Sequence, residues 1–317
     1  MTMIFSQPPT GFGLACAGAV LAGLLIGLAV LLRKGKKYGD WIRLCVCCIP
    51  LIWLAARFGY ALSGWVMIPL EGFFDLDTGR DPLEGFRFWL GGFSLVSGVA
   101  GAFAGAWLAG KWRPDCRKAF LDATALGVPA GILVERLAER GTGLGLGRYV
   151  TWEGLIRTGL CPEVEGEFVH PVYLYEAAAA LILGLLLWGI RRRMKREGEL
   201  AGIFLMLFGL SQVLLESLRA DGHMVEHFVH IQQVYAILIV FGVTLGWYLR
   251  QREKKLWDSL ISWLLFAAAI GAAIWAEFGV DRWGNPMLAY GLMAACMAVI
   301  GCIAFRFRRK AAAGTGK

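Results

Sequence analysis

Ionisable side chains that could bind a phosphate or move a proton lie at the ends of long apolar segments of this 317-residue chain. Arginine binds phosphate oxygens through two parallel hydrogen bonds, and histidine and carboxylate side chains transfer protons. Because charges inside a membrane are costly unless they are paired, such residues indicate a functional site. Because arginines are among them, these residues predict a site for an anionic phospholipid headgroup. The set consists of Arg57, Arg136, His170, Glu176, Glu216 and Arg219.

Most members of this set also have a structural alternative. Arg57 would pair with a loop carboxylate and hold helices together. His170 precedes a proline and would cap a helix that begins with that proline. Glu216 and Arg219 have the i,i+3 spacing of an ion pair on one helix. Glu176 is harder to explain structurally, because the helix predicted around it is otherwise apolar.

Histidines and cysteines are the residues of this chain that could bind a metal or form disulfides. His223, His227 and His230 are three of the chain's four histidines and follow Asp221 closely. Three histidines can bind zinc, but an exposed polar loop is the favoured explanation of this spacing. Most of the eight cysteines lie within apolar runs, where no disulfide framework is expected. We therefore predict no metal site and no cofactor.

The composition is typical of a membrane protein. Hydrophobic residues make up 57% of the chain and charged residues 18%, with a mean hydropathy of +0.58. Soluble domains contain roughly 45–50% apolar and about 25% charged residues. The net charge of +8 does not indicate nucleic-acid binding, because the basic residues lie in short clusters between apolar segments. Membrane lipid is the expected partner, and nucleic acid is not.

About nine segments are long and apolar enough, or nearly so, to cross some 30 Å of hydrocarbon. Each is predicted to be a helix, because backbone polar groups must be hydrogen-bonded inside lipid. The predicted fold class is therefore an all-α polytopic membrane protein with about nine transmembrane helices. Glycines recur along the third segment and predict close helix contacts there. The segments are 11–32, 42–63, 88–110, 119–137, 171–190, 200–218, 231–249, 257–277 and 287–305.

The charges of the loops predict how these segments are oriented. Lysine and arginine clusters follow the first, third, fifth, seventh and ninth segments and contain most of the 32 basic residues. Cytoplasmic loops carry the excess of lysine and arginine, so the N-terminus is predicted outside and the C-terminus in the cytoplasm. Acidic and mixed loops then face outward. These outer loops are 64–87, 138–170, 219–230 and 278–286.

Several motifs resemble those of one enzyme family. The most specific are HPVYLYEA at 170–177 and ESLRAD at 216–221, which IQQVYAILIV follows at 231–240. Supporting segments are ARFGYAL in the second span, FRFWLGGFSLVSG in the third and ERLAERGTGLGLGR after the fourth. In order and spacing they resemble the phosphatidylglycerol–prolipoprotein diacylglyceryl transferase family over roughly residues 10–250. The chain is identified as a divergent member.

The resemblance implies a seven-span core in residues 1–250, which leaves 251–317 as a two-helix extension with a basic tail. It implies transfer of the diacylglyceryl group of phosphatidylglycerol to the thiol of a lipobox cysteine, with release of glycerol phosphate. The implied partners are phosphatidylglycerol, prolipoprotein signal peptides and membrane lipid. The implied location is the bacterial plasma membrane, with a site that faces the outer leaflet.

The resemblance and the charged residues together predict two overlapping sets of site residues. The predicted catalytic residues are Arg136, His170, Glu176, Glu216 and Arg219. Both arginines would also meet the negative charge of the departing phosphate. The predicted lipid- and phosphate-binding residues are Arg57, Tyr60, Arg136, Arg140, Arg148, Tyr175 and Arg219.

Six positions depart from the family pattern and leave the chemistry open. In chain order the family has tyrosine, histidine, glycine, asparagine, glutamate and arginine at these positions. Two alternatives therefore stand beside the transferase, an enzyme that transfers to another nucleophile and a non-catalytic protein that binds lipid or lipoproteins. The residues found here are Phe12, Val96, Glu135, Glu139, Leu144 and Gln212.

Overall fold

The computed structural model describes residues 10–74, 92–150, 152–194, 196–221, 224–226, 229–283 and 285–313. Within these ranges the chain is predominantly helical, and a helix lies in each of the nine predicted spans. His223 and His227 lie outside the described residues. The same is true of residues 75–91, which contain most of one predicted outer loop and the beginning of the third predicted span.

Ten α-helices form within the described ranges. Seven of them are long and apolar enough to cross a membrane, and they agree with a multi-pass membrane protein. The helices α3 and α4 fall short of that criterion, so the count of nine spans stays a prediction. The helices are α1 Thr10–Arg33, α2 Tyr38–Phe74, α3 Leu95–Trp112, α4 Arg117–Ala138, α5 Glu153–Ile156, α6 Val172–Ile190, α7 Glu199–Ser217, α8 Ile231–Leu249, α9 Leu256–Arg282 and α10 Pro286–Ala313.

Short strands occupy the loops that the sequence analysis predicts to face outward. The strands β1 Leu146–Tyr149, β2 Glu163–Val164 and β3 Glu167–Pro171 form a sheet in the order β1-β3-β2, with antiparallel neighbours. The strands β4 Val225–Glu226 and β5 Val229–His230 form a hairpin before α8. The all-α prediction therefore applies to the apolar helices, and the loops add strands too short to produce a clear alternating pattern.

The described chain divides into two compact units. The first extends to Phe204 and also includes Leu218–Tyr235, whereas the second consists of Leu205–Ser217 and the residues from Ala236 onward. These boundaries differ from the predicted division into residues 1–250 and 251–317. That division concerns the extent of the family core and stays a prediction.

Close contacts between small residues hold the helices of the first unit together. A Cβ on Gly127 of α4 would lie 2.2 Å from the carbonyl oxygen of Gly23 in α1. A Cβ on Gly105 of α3 would lie 2.6 Å from the Cα of Cys48 in α2. Only glycine permits such approaches, which increase the dispersion contacts that drive helix association in lipid. The close contacts predicted along the third span are confirmed.

The second unit is built mainly from the antiparallel packing of α9 and α10. A buried cluster of Ala276, Val280, Ala289 and Met293 lies at the end where these two helices are joined. Near the other end, Asp258 at the beginning of α9 forms ion pairs with Arg306 and Lys310 of α10. Apolar contacts and ion pairs thus hold the two helices together along their length.

Candidate active site

The loop between α4 and α6 packs against the residues that follow α7. Gly147 of β1 forms a bridge with Arg219, and the backbone N–H of Ala220 donates to the carbonyl of Leu146 over 2.8 Å. The N–H of Tyr173 donates to the carbonyl of Gly145 over 2.9 Å. These bonds bring the end of α4, the beginning of α6 and residues 219–221 together within the first unit.

Arg136 lies at this junction and is surrounded by carboxylates. Its side chain is buried, and its Nη1 donates to Oε1 of Glu139. Its Nε lies 3.0 Å from Oε2 of Glu135 and 3.3 Å from Oε2 of Glu176. The N–H does not point at either oxygen well enough for a hydrogen bond, and no other described group bonds to Nε. Arg136 is therefore held by charge more than by directed bonds.

Arg219 meets the same glutamate from the other side. Its Nη1 lies 3.4 Å from Oε2 of Glu176, and its Nη2 donates to Oδ2 of Asp221 over 2.6 Å. That Asp221 oxygen also accepts the N–H of Gly145 over 2.6 Å. One oxygen of Glu176 thus lies between the guanidinium groups of Arg136 and Arg219, which are both buried. Two cations converge on a single negatively charged oxygen.

This group contains more acids than bases, and we call it the arginine–carboxylate cluster. Oε2 of Glu139 is buried and accepts no hydrogen bond from any described residue. Burial raises the pKa of Glu139 above its ordinary value, while the positive charges of Arg136 and Arg219 lower it in turn. An unsatisfied buried oxygen is unusual in a folded protein, and Oε2 of Glu135 likewise accepts no hydrogen bond from the described residues. The members are Glu135, Arg136, Glu139, Glu176, Arg219 and Asp221.

Two further pairs of predicted residues form local contacts. His170 in β3 and Tyr175 in α6 are joined by a 2.9 Å hydrogen bond between Nδ1 and the phenolic oxygen. Burial lowers the pKa of His170, so the imidazole is neutral at neutral pH. Arg57 is 1% exposed, donates to the carbonyl of Gly92 over 3.0 Å and lies 5.5 Å from the ring of Tyr60. Arg57 thus connects α2 to the residues that precede α3.

Three more predicted site residues are joined neither to the cluster nor to these two pairs by the contacts described above. Arg140 and Arg148 are exposed, whereas a buried arginine is expected for a preorganised phosphate site. Glu216 is fully buried at the end of α7, in the second unit. Its predicted pairing with Arg219 stays a prediction.

Glu135, Glu139 and Asp221 are not among the predicted site residues. Each has a signal in the sequence, because Glu135 adjoins Arg136, Glu139 follows it by one helical turn and Asp221 completes the ESLRAD motif. Glu135 and Glu139 are also two of the positions that depart from the family pattern. Glu135 and Glu139 therefore add negative charge around Arg136, the arginine that the resemblance implies binds the phosphate.

The other substituted positions are apolar or lie away from the described ion pairs. Val96 is fully buried in α3, and its N–H lies 3.5 Å from Oε1 of Gln232. Leu144 lies in the turn before β1, where its N–H donates to the hydroxyl of Thr142. Gln212 is buried in α7. The side chains of Val96 and Leu144 cannot accept a proton.

The part of the chain that the structure describes contains no group of three or more His, Cys, Asp or Glu residues arranged to hold a metal ion. Two of the three clustered histidines, His223 and His227, lie outside it. The prediction that this loop binds no metal therefore stays a prediction.

Comparison with known proteins finds relatives over most of the chain. The family model described as prolipoprotein diacylglyceryl transferase matches residues 4–248. Three similar proteins are named phosphatidylglycerol–prolipoprotein diacylglyceryl transferase. That of Halalkalibacterium halodurans is 25% identical, covering 73% of this chain and 82% of its own length. That of Clostridioides difficile is 23% identical, covering 77% of this chain and 92% of its own length. That of Roseobacter denitrificans is 31% identical, covering 68% of this chain and 79% of its own length.

These matches confirm the resemblance seen in the motifs and the prediction of a membrane-bound transferase. They cover the helices that carry the arginine–carboxylate cluster and end near the C-terminal end of α8. The chain belongs to the prolipoprotein diacylglyceryl transferase family.

Proposed function

We propose that this protein transfers the diacylglyceryl group of phosphatidylglycerol to the thiol of a lipobox cysteine in secreted prolipoproteins. The observation that carries the proposal is the convergence of Arg136 and Arg219 on one oxygen of Glu176. Two buried guanidinium groups that meet at one anionic oxygen are suited to bind a phosphate. The relatives that bear this activity in their names support the same reaction.

The reaction requires charge compensation at the phosphate. When the thiolate sulfur bonds to the glyceryl carbon, the carbon–oxygen bond breaks and its electron pair stays on the departing glycerol phosphate. Preorganised cations in a water-excluded site stabilise such a developing charge. Arg136 and Arg219 are 3% exposed each, so they would supply this stabilisation without reorganising solvent. Glu176 orients both of them.

The proposed topology places this chemistry at the outer leaflet of a bacterial plasma membrane. Arg117 and Lys118 begin α4, and Arg136 lies in its last turn. If the basic end faces the cytoplasm, as the positive-inside bias requires, the cluster lies toward the outside. This orientation uses α3 and α4 as the two further spans, with the N-terminus outside and the C-terminus inside. A prolipoprotein cysteine at the end of a secreted signal peptide would reach the cluster there.

Complementation and a purified reaction test the proposal directly. The full chain is expressed in a bacterial strain depleted of its own transferase, and we expect growth and lipidated prolipoproteins. The purified protein in phosphatidylglycerol vesicles should add one diacylglyceryl group to a lipobox peptide, as measured by mass spectrometry. A cysteine-to-serine peptide is the matched control. Failure of both experiments despite good expression would refute the proposal.

A non-catalytic protein that binds lipid or lipoproteins is the second candidate. It is favoured by Val96, Gln212 and Leu144, which stand where the family pattern has a histidine, an arginine and a glutamate. Under this candidate, Arg136→Ala and Glu176→Gln would leave the cellular phenotype unchanged, whereas bulky substitutions in the binding site would abolish it. An enzyme with another nucleophile would be recognised by a new diacylglyceryl product in the lipids of expressing cells.

A further inference from the structure

The proposed transfer needs a group that accepts the proton of the thiol, because the thiolate is the nucleophile. Most carboxylates of the cluster are engaged. Glu176 lies between two arginines, and both oxygens of Asp221 meet Arg219. Glu135 and Glu139 each have an Oε2 that accepts no hydrogen bond from the residues described. That oxygen of Glu135 lies 3.0 Å from Nε of Arg136, whereas Arg136 binds Glu139 through the other oxygen, Oε1. The oxygen without a donor keeps a lone pair for the thiol proton, and the oxygen bound by Arg136 fixes the carboxylate, which suits a general base.

The backbone on both sides of Glu139 holds this carboxylate in place. Its N–H donates to the carbonyl of Arg136 over 3.3 Å, and its own carbonyl accepts the N–H and the hydroxyl of Thr142 over 2.9 Å and 2.7 Å. Gly145 lies against the open oxygen, so closely that a Cβ there would be 2.6 Å from Oε2. The Asp221 carboxylate fixes Gly145 in turn. The open oxygen is therefore preorganised, and only a glycine leaves room for it.

We propose that Glu139 is the catalytic base of this transferase, and the proposal rests on the function proposed above. Oε2 of Glu139 takes the proton of the cysteine thiol, and the sulfur electron pair forms the new bond to the glyceryl CH₂. The bond between that carbon and the phosphate oxygen breaks, and its electrons stay on glycerol phosphate beside Arg136 and Arg219. The proton then passes from Glu139 to the departing phosphate, which restores the carboxylate for the next cycle.

The charges around Glu139 determine the pH dependence of this step. Cys16 faces it from α1, Arg136 and Glu135 from α4, Glu176 from α6, and Arg219 from the segment after α7. Burial raises the pKa of Glu139, and the two arginines oppose the rise. Only the ionised carboxylate accepts a proton, so activity is lost as the pH falls through this raised pKa. The acid limb of the profile should lie above that of an ordinary glutamate.

The test uses the full chain in phosphatidylglycerol vesicles with a lipobox peptide. Glu139→Gln should lower kcat by about 100- to 10,000-fold, the usual contribution of a general base. The KM for phosphatidylglycerol should stay close to that of the unmodified protein, because the arginines remain. The acid limb should disappear, and the deficit should shrink above the thiol pKa of about 8.5. Formate should partly restore Glu139→Ala. Glu153→Gln, on an exposed helix, is the matched control.

The outcomes separate the two proposals. If the unmodified protein gives no product, the proposed function fails. If it is active and Glu139→Gln has equal kcat and an unchanged pH profile, the base is another group while the proposed function stands. Loss of the acid limb in His170→Gln, with the limb retained in Glu139→Gln, would assign the base to His170. Should Glu139→Gln unfold, Glu139→Asn takes its place, and full activity of that variant would overturn the proposal.

Discussion

The two ends of α4 each bury an acidic group, and they use it differently. At the beginning of the helix, Oδ2 of Asp122 accepts from Lys34 over 3.0 Å and from the N–H of Gly198 over 2.9 Å, while Oδ1 accepts the N–H of Leu200 over 3.2 Å. At the other end, about 20 Å away by the rise of an α-helix, the arginine–carboxylate cluster has four acids for two arginines.

The difference lies in whether the buried polar groups are satisfied. Both oxygens of Asp122 have donors, and two of these donors are free N–H groups near the beginning of α7 that a helix cannot satisfy by itself. The cluster leaves Oε2 of Glu135 and Oε2 of Glu139 without a hydrogen-bond donor among the described residues. A closed network stabilises the fold, whereas a buried oxygen without a donor still has the capacity to accept a hydrogen bond or a proton. The number of hydrogen bonds that each carboxylate accepts thus distinguishes the structural Asp122 from the proposed catalytic Glu139, at opposite ends of α4.

Removal of a cluster arginine is expected to have the largest effect. Arg136→Gln should lower the rate of diacylglyceryl transfer by about 100- to 1,000-fold, the usual loss when one stabilising donor is removed. It also leaves Glu139 and Glu135 without their cation, which should lower the free energy of unfolding by about 3–5 kcal/mol. Transfer and thermal unfolding are measured on the same preparation. Arg157→Gln is the control, because the side chain of Arg157 is 80% exposed. An equal loss of activity in that variant would contradict a specific role for Arg136.

A matched pair of glycine variants tests whether the position of the Glu139 carboxylate matters. Gly145 and Gly143 both have left-handed φ values, +67° and +81°, so alanine at either should lower stability by about 1–2 kcal/mol. A new Cβ at Gly143 meets nothing within 4 Å, whereas at Gly145 it would lie 2.6 Å from Oε2 of Glu139 and 2.7 Å from the Cβ of Tyr173. Gly145→Ala therefore carries a packing cost beyond the cost of its φ angle. We expect Gly145→Ala to lower kcat by up to about 100-fold, as for a misplaced catalytic group. Equal kcat in the two variants would contradict a role for this contact.

The smallest effect on activity is expected at the other end of α4. Asp122→Ala removes the acceptor of Lys34 and of two backbone N–H groups, so the midpoint of thermal unfolding should fall with a loss of about 2 kcal/mol. The kcat of the folded fraction should not change. Asp122→Asn keeps one acceptor and should have an intermediate midpoint. A lower kcat with an unchanged midpoint of thermal unfolding would make Asp122 part of the functional site. It would contradict the distinction between a structural acid and a catalytic acid at the two ends of α4.

Arg136, Glu176 and Arg219 could be grouped from the sequence, because each is an expensive charge at the end of an apolar segment. Glu139 and Asp221 could not be given roles in the same way. A glutamate that follows a helix end is ordinarily a solvated residue. Its burial here depends on Gly145, and the cation that anchors Asp221 is identified only by the folded arrangement.

The sequence by itself determined the helices and the family, since hydrophobic run length reflects the thickness of a bilayer and the motifs are contiguous in the chain. The sequence also identified the ionisable residues at the ends of apolar segments as candidates for a functional site. Only the tertiary structure decided which oxygens are satisfied. Arg219 meets Glu176 across 43 residues, and Gly145 meets Asp221 across 76. Hydrogen-bond saturation depends on distances of a few ångströms between such remote segments, which no local pattern encodes.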